Sequence, residues 1–141
     1  MAGGLGVRAA VTVEYEWRGA LTNLELNRLH AEGFEHALLE DDWLAQLERH
    51  SLGWATARDD GVLVGFVNVV WDGGVHAFIL DTLVSASHQR HGIATELVGV
   101  ATDHARDAGC EWLHVDFDDH LRAFYFESCG FTPTNAGLIR L

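Results

Sequence analysis

The chain of 141 residues carries 9 basic and 21 acidic side chains, a formal net charge of -12, with 48% hydrophobic and 21% charged residues. That balance fits one globular domain over residues 1–141, large enough to bury a core, and excludes a disordered tail. All nine basic residues are arginines, and so acidic a surface repels nucleic acid, whose affinity rests on neutralising phosphates; a cationic or amine-bearing partner suits it better.

Val11 to Trp17 alternates apolar and polar residues and predicts a strand ended by Arg18-Gly19. Thr22 or Asn23 is placed to cap a helix running to about Gly33, and a second helix is expected from about Asp41 to His50, with acidic residues in its first turn. Strands follow at about Gly53 to Arg58 and Val62 to Trp71, joined by Asp59-Asp60-Gly61, which has the chemistry of a tight hairpin turn. Asp72-Gly73-Gly74 turns the chain into the third strand of this meander, about His76 to Ser85. From Gly92 to Ala108 the apolar residues Ile93, Leu97, Val98, Ala101 and Ala105 recur at helical spacing, and Gly109 supplies the stop. Trp112 to Phe117 reads as a strand, Leu121 to Ser128 as a fourth helix, and Gly137 to Leu141 as a short final strand. This order predicts an α+β fold, a mixed sheet with helices on its faces. Two cysteines, Cys110 and Cys129, are too few for a disulfide scaffold. Residues 1–7 lack the regions of a secretory signal, and no apolar run is long enough to span a bilayer. A cytoplasmic chain without membrane attachment is expected.

Chemistry is most legible at Gln89-Arg90-His91-Gly92-Ile93-Ala94-Thr95, where a strand delivers the chain to a helix start. First-turn amides have no partner within a helix and sit at the positive end of its dipole, so a phosphate is well accommodated there. Gly92 and Ala94 remove bulk, Thr95 adds a hydroxyl, and Arg90 and His91 offer positive charge.

In this stretch the sequence resembles the GCN5-related N-acetyltransferases, the GNAT superfamily. The acyl-CoA signature Gln/Arg-x-x-Gly-x-Gly/Ala stands here as Gln89-x-x-Gly92-x-Ala94. The resemblance extends upstream to Asp81-Thr82-Leu83-Val84 and downstream through Gly109-Cys110 to Phe124-Tyr125-Phe126-Glu127-Ser128-Cys129-Gly130-Phe131, covering about residues 76 to 131. It implies a GNAT fold: a mostly antiparallel sheet, helices on both faces, and two strands that splay apart to form the acyl-CoA cleft. Pantetheine would lie along the backbone of Thr82, Leu83 and Val84, and the pyrophosphate on the amides from Arg90 to Thr95. Val84 N–H would polarise the thioester carbonyl, and acetyl-CoA would bring the acyl group.

The acceptor amine must attack as the free base. Asp81, where diamine-type members of the family carry an Asp, is the first candidate to bind the ammonium or order a water. His76, Asp116, Glu14 and Glu16 are weaker alternatives. The family usually protonates the departing thiolate with a Tyr four residues before the Gly of the Gly-Phe ending, but that position holds Phe126. Tyr125 is its neighbour, about 100° away on an ideal helix. Three accounts stay open: Tyr125 reaches the sulfur through a local helix distortion, water serves as the acid, or the chain binds acyl-CoA as a regulatory module with little turnover. Phe126 would still pack near the pantetheine arm. Trp17 and the two helices after it would flank the acceptor pocket. The nine histidines, His88-x-x-His91 among them, lack the companion ligands of a zinc site, so no metal is expected. The reading is therefore an N-acetyltransferase acting on a primary amine, with a homodimer as one possible assembly.

Overall fold

The computed structural model describes residues 12–141, so the start of the first predicted strand at Val11 lies outside the described residues. Five strands form one sheet in sequence order: β1 (Val13–Trp17), β2 (Ser51–Asp59), β3 (Val62–Trp71), β4 (His76–Val84) and β5 (Trp112–His114). The first four pair antiparallel, and β5 joins β4 in parallel. Helices α1 (Asn23–Gly33) and α2 (Trp43–His50) connect β1 to β2, while α3 (Ile93–Asp107) connects β4 to β5.

Local chemistry accounts for most boundaries. The turn between β2 and β3 needs two residues at positive φ, and Asp60 (48°) and Gly61 (79°) supply them. Helix α1 opens with a reciprocal capping box: Thr22 Oγ1 accepts from Glu25 N–H at 3.1 Å, and Thr22 N–H donates to Glu25 Oε1 at 2.9 Å. Helix α2 is capped by Asp42, whose side chain accepts from Ala45 N–H at 3.2 Å.

The sheet separates two cores. On one face Ala55, Ala57, Val67, Val69, Ala77 and Ile79 pack against Ile93, Leu97, Val98, Ala101 and Ala105 of α3. On the other, Trp54, Phe66 and Leu83 meet Leu26 and Leu29 of α1 and Trp43 and Leu47 of α2. Strand β4 serves both faces in an order its own sequence does not announce. Ala77 and Ile79 belong to the α3 side, yet Leu83 belongs to the α1/α2 side and Val84 packs on the α3 side. A register shift opposite Phe66–Asn68 inserts one extra residue into β4, with Asp81 at φ 54°. Because side chains alternate with period two, one inserted residue exchanges the faces of everything after it.

Three expectations are corrected. Strand β5 ends at His114 rather than Phe117, because beyond His114 it has no paired partner on β4. The fourth helix is a 3-10 turn (Asp119–Leu121) followed by a π-helical turn (Phe124–Ser128), not one α-helix. The segment Gly137 to Leu141 forms no strand; Leu138 (83%) and Ile139 (87%) are exposed and find no surface to pack on.

Candidate acyl-donor cleft and proton groups

Strands β4 and β5 are paired only from His76 to Phe78, so β4 from Ile79 to Val84 has a free edge on that side. The hydrogen-bond alternation fixes which amide faces it. Ser85 N–H donates to Val64 O at 2.8 Å, so the neighbouring pair Gly65 and Val84 is a non-hydrogen-bonded one. Val84 N–H therefore points away from β3, toward the gap.

A cleft of about 280 Å³ opens at the end of this strand, lined by Val84, His88, Gln89, Arg90, Gly92, Ile93, Ala94, Thr95 and Phe124. Gly92 is the N-cap of α3 at φ 75°, and it has no side chain to accept from the first-turn amides. The first backbone bond of the helix runs from Glu96 N–H to Gly92 O, so the amides of Ile93, Ala94 and Thr95 lie ahead of the helical ladder. Arg90 also sits at positive φ, 66°. A Cβ placed on Gly92 meets nothing within 4 Å, because the space before it is the open cleft. This is the shape and polarity that a pyrophosphate group requires.

The loop before α3 is held by His88, weighed above only as a metal ligand, and by partners that motif reading passed over. His88 hydrogen-bonds Ser85 Oγ and Ser87 Oγ through Nδ1, both at 2.9 Å, and meets Asp59 Oδ2 at 2.7 Å through Nε2. Glu32 Oε1 on α1 accepts from Ala86 N–H at 2.5 Å. These contacts tie the end of β2 and the end of α1 to the turn that carries Gln89 to Thr95. Asp59 and Glu32 stand 29 and 54 residues from their partners, and such pairings leave no local sequence signal.

Tyr125 is buried at 5% exposure. Its ring stacks on Phe117 at 4.7 Å and meets Phe124 and Phe131 edge-on. Its hydroxyl donates to Thr82 Oγ1 on β4 at 3.3 Å. The inward aim comes from the π-helical turn. Cys129 N–H bonds to Phe124 O, five residues back, and Phe131 N–H to Tyr125 O, six back, with Gly130 at φ 78° between them. Each span is one residue wider than in an α-helical ending, so the residue five before Gly130 faces the strand instead of the one four before it. Burial raises the Tyr125 hydroxyl above its ordinary value; the Thr82 hydrogen bond partly opposes this, and Cys129 and Asp116 add to it. The group thus stays protonated at neutral pH.

Phe126 lies outside the cleft lining; it meets Phe117 edge-on and carries the Arg122 guanidinium over its ring at 5.0 Å. Phe124 takes the place at the cleft. His91 is exposed and also outside the lining, and the Leu83 side chain is buried in the α1/α2 core, which leaves only its backbone to the strand edge. Asp81 is half-buried and faces α1, where His30 Nε2 approaches its Oδ1 at 3.4 Å. Among the weaker alternatives, Glu14, Glu16 and Asp116 are exposed, and His76 Nδ1 lies 2.8 Å from His114 Nε2. Trp17 does not flank α1 and α2: its ring stacks at 4.5 Å on His104 of α3, on the opposite face. Cys129 is no nucleophile, since burial pushes its thiol up to about 11. Among the described residues no group of three or more His, Cys, Asp or Glu side chains is arranged to hold a metal ion, and no helix is long and apolar enough to cross a membrane.

The sheet thus parts between β4 and β5 beside the uncapped start of α3. The sequence model of the Acetyltransferase (GNAT) family matches residues 17–131, and the chain belongs to that family. No curated protein sequence matches the chain significantly. Solved structures share the fold. A GNAT family protein of Streptococcus pneumoniae TIGR4 superposes with a TM-score of 0.75 at 21% identity, over 92% of this chain and 98% of that one. An aminoglycoside acetyltransferase from an uncultured soil metagenomic sample, solved with trehalose, gives 0.72 at 19% identity, over 92% and 94%. AAC(6')-Iy, in complex with a bisubstrate analog of CoA and monomethyl-acetylneamine, gives 0.72 at 19% identity, over 92% and 97%.

Proposed function

We propose that the protein is an acetyl-CoA-dependent N-acetyltransferase whose acceptor is a primary amine on a small cationic molecule. One observation carries the reading: the uncapped start of α3, the outward-pointing Val84 N–H and the buried Tyr125 hydroxyl converge along the free edge of β4. The residues present suit the donor. The amides of Ile93, Ala94 and Thr95, with Arg90 beside them, would hold the pyrophosphate, and the β4 backbone from Thr82 to Val84 would hold pantetheine. Acetyl-CoA supplies an acyl group already activated toward an amine.

The chain's own residues then position and move protons. Val84 N–H stabilises negative charge developing on the carbonyl oxygen. Asp81 receives the ammonium, holds it against the strand edge and accepts its proton. Tyr125 Oη holds a proton ready for the thiolate; its burial keeps that proton in place at neutral pH. The preference for a cationic acceptor follows from charge: segment 34–42, between α1 and α2 and linked to Asp81 through His36 and His30, carries Glu35, Glu40, Asp41 and Asp42 and no arginine.

Thiol release from acetyl-CoA, followed across simple primary amines, polyamines and aminoglycosides, tests the proposal. Amine-stimulated release is expected. Tight acetyl-CoA binding with no release by any amine would instead identify a regulatory module.

A further inference from the structure

Three groups form a continuous hydrogen-bonded chain on the α1 side of β4. Asp81 Oδ1 lies 3.4 Å from His30 Nε2, His30 Nδ1 lies 2.7 Å from His36 Nε2, and His36 Nδ1 lies 2.7 Å from Ala37 O. A carbonyl oxygen only accepts, so the arrangement can be counted from that end. His36 Nδ1 must carry a hydrogen and donate to Ala37 O. Neutral His36 then has a bare Nε2, which obliges His30 Nδ1 to be the donor between the two rings. Neutral His30 in turn presents a bare Nε2 to Asp81, and an ionised carboxylate also only accepts. The chain closes when one further proton is shared between His30 Nε2 and Asp81 Oδ1.

The surroundings hold this order in place. Asn23, Asn27 and His30 lie at positions i, i+4 and i+7 of α1. Asn23 binds Leu44 N–H and Asp42, and Asn27 binds Asp41 O, Asp41 N–H and Trp43 Nε1, so the segment bearing His36 is fastened to the same helix face. The His30 ring lies between Phe34 and Trp43, with centroids at 4.6 and 5.3 Å. Asp81 itself sits in a left-handed conformation at the β4 bulge, which Asp adopts more readily than most residues. The titratable groups in contact with His30 are thus Asp81 from β4 and His36 from the α1–α2 segment, while α2 contributes only the Trp43 ring.

We propose that Asp81 and His30 form the route by which the acceptor ammonium loses its proton, with His30 as the station that receives it and His36, off the route, as the positioning residue that sets the His30 tautomer. This rests on the acetyltransferase reading above. An ammonium N–H bond breaks, its electron pair stays on nitrogen for attack, and the proton passes through Asp81 to the His30 Nε2–Asp81 Oδ1 pair. His30 is 21% exposed at its side chain, so solvent then takes the proton.

The test has two readouts. In the full chain labelled with 15N-histidine, nuclear magnetic resonance should show neutral His36 protonated at Nδ1 and neutral His30 protonated at Nδ1, with His30 Nε2 the nitrogen that gains a proton. Asp81→Asn, whose introduced amide can donate to His30 Nε2, should hold His30 neutral. In turnover, His36→Gln retains an acceptor for His30 Nδ1–H and should transfer acetyl groups at near wild-type rate. His36→Leu lacks it and should lower kcat about 10²-fold at unchanged KM for acetyl-CoA. The loss should be larger for butylamine than for glycinamide, whose amine is less basic. A neutral His30 protonated at Nε2 in an active enzyme overturns the route alone, as does equal turnover by the two His36 variants. The expected tautomers in a folded, acetyl-CoA-binding protein that acetylates neither probe nor any polyamine overturn the reaction reading instead.

Discussion

Replacing Tyr125 with Phe removes one oxygen and leaves the ring among Phe117, Phe124 and Phe131. Structurally the loss is small. The hydroxyl makes one hydrogen bond, to Thr82 at 3.3 Å, and a bond of that kind contributes a net ~0.5–1.5 kcal/mol, an upper range here because Thr82 is only half-buried. In a chain of this size that lowers the melting temperature by about 2–5 °C. Catalytically the loss is large if Tyr125 protonates the thiolate, since a positioned acid contributes roughly 10²–10⁴-fold, or about 3–5 kcal/mol of barrier. The two magnitudes separate cleanly. A thiol-release assay at saturating acetyl-CoA, with calorimetric affinity measured alongside, should show kcat falling by about 10² or more while acetyl-CoA affinity stays within about twofold. Protonation supplies a second handle. Burial raises the Tyr125 value above its ordinary 10.0, so its contribution to stability is fully present below about pH 10 and is lost as pH rises through the raised value. The wild type should therefore lose stability relative to Tyr125→Phe in strongly alkaline buffer. A variant that keeps turnover within about threefold of wild type would refute the assignment and leave water as the acid.

Two further outcomes follow from groups outside the cleft. Arg58 grips Glu25 through both nitrogens, at 2.7 and 3.2 Å, and holds its carboxyl below the usual range; Glu25→Gln should cost about 1 kcal/mol at neutral pH. A lowered carboxylate value contributes stability above the unfolded value near about 4.3, lost as pH falls, so denaturant titrations of the two proteins should converge in acid. With its thiol pushed up to about 11, Cys129 should alkylate at pH 8 far more slowly in the native chain than after denaturation, as mass spectrometry of iodoacetamide adducts would show.

The sequence carried the architecture where the signal was local. Asp59-Asp60-Gly61 announces its turn because only certain residues tolerate two successive positive φ values, and Thr22 with Glu25 announces α1 because both halves of the capping box lie within four residues. Gln89 to Thr95 was legible for the same reason: a glycine at a helix start acts through the next three amides. The bulge at Asp81 was harder, since it depends on register against β3; Val84 shares a face with Ala77 and Ile79 although it is out of step with them, and the apolar run from Ala77 to Leu80 masks that trace. The π-helical turn hides in Phe124-Tyr125-Phe126, three aromatics in a row that fit any period. Only the widened bonds to Phe124 and Tyr125 show which ring faces the strand. His30 and His36 drew no notice because neither belongs to a motif, and their partner Asp81 lies 51 residues from His30. Strand pairing failed as a prediction at Gly137 to Leu141 because a short apolar run is compatible with a strand, but a strand also needs an edge to join.

The account stands on acetyl-CoA entering the cleft at the start of α3. Calorimetric titration of acetyl-CoA into the wild type, Gly92→Asn and Gly92→Glu tests this directly. Asparagine tolerates the left-handed conformation that Gly92 holds at φ 75°, so it reports on backbone strain, while glutamate projects bulk and negative charge into the space before the first-turn amides. Micromolar binding by the wild type, weakened modestly by asparagine and abolished by glutamate in a variant that still melts cooperatively, is the predicted result. Equal binding by all three, or none by the folded wild type, would contradict it.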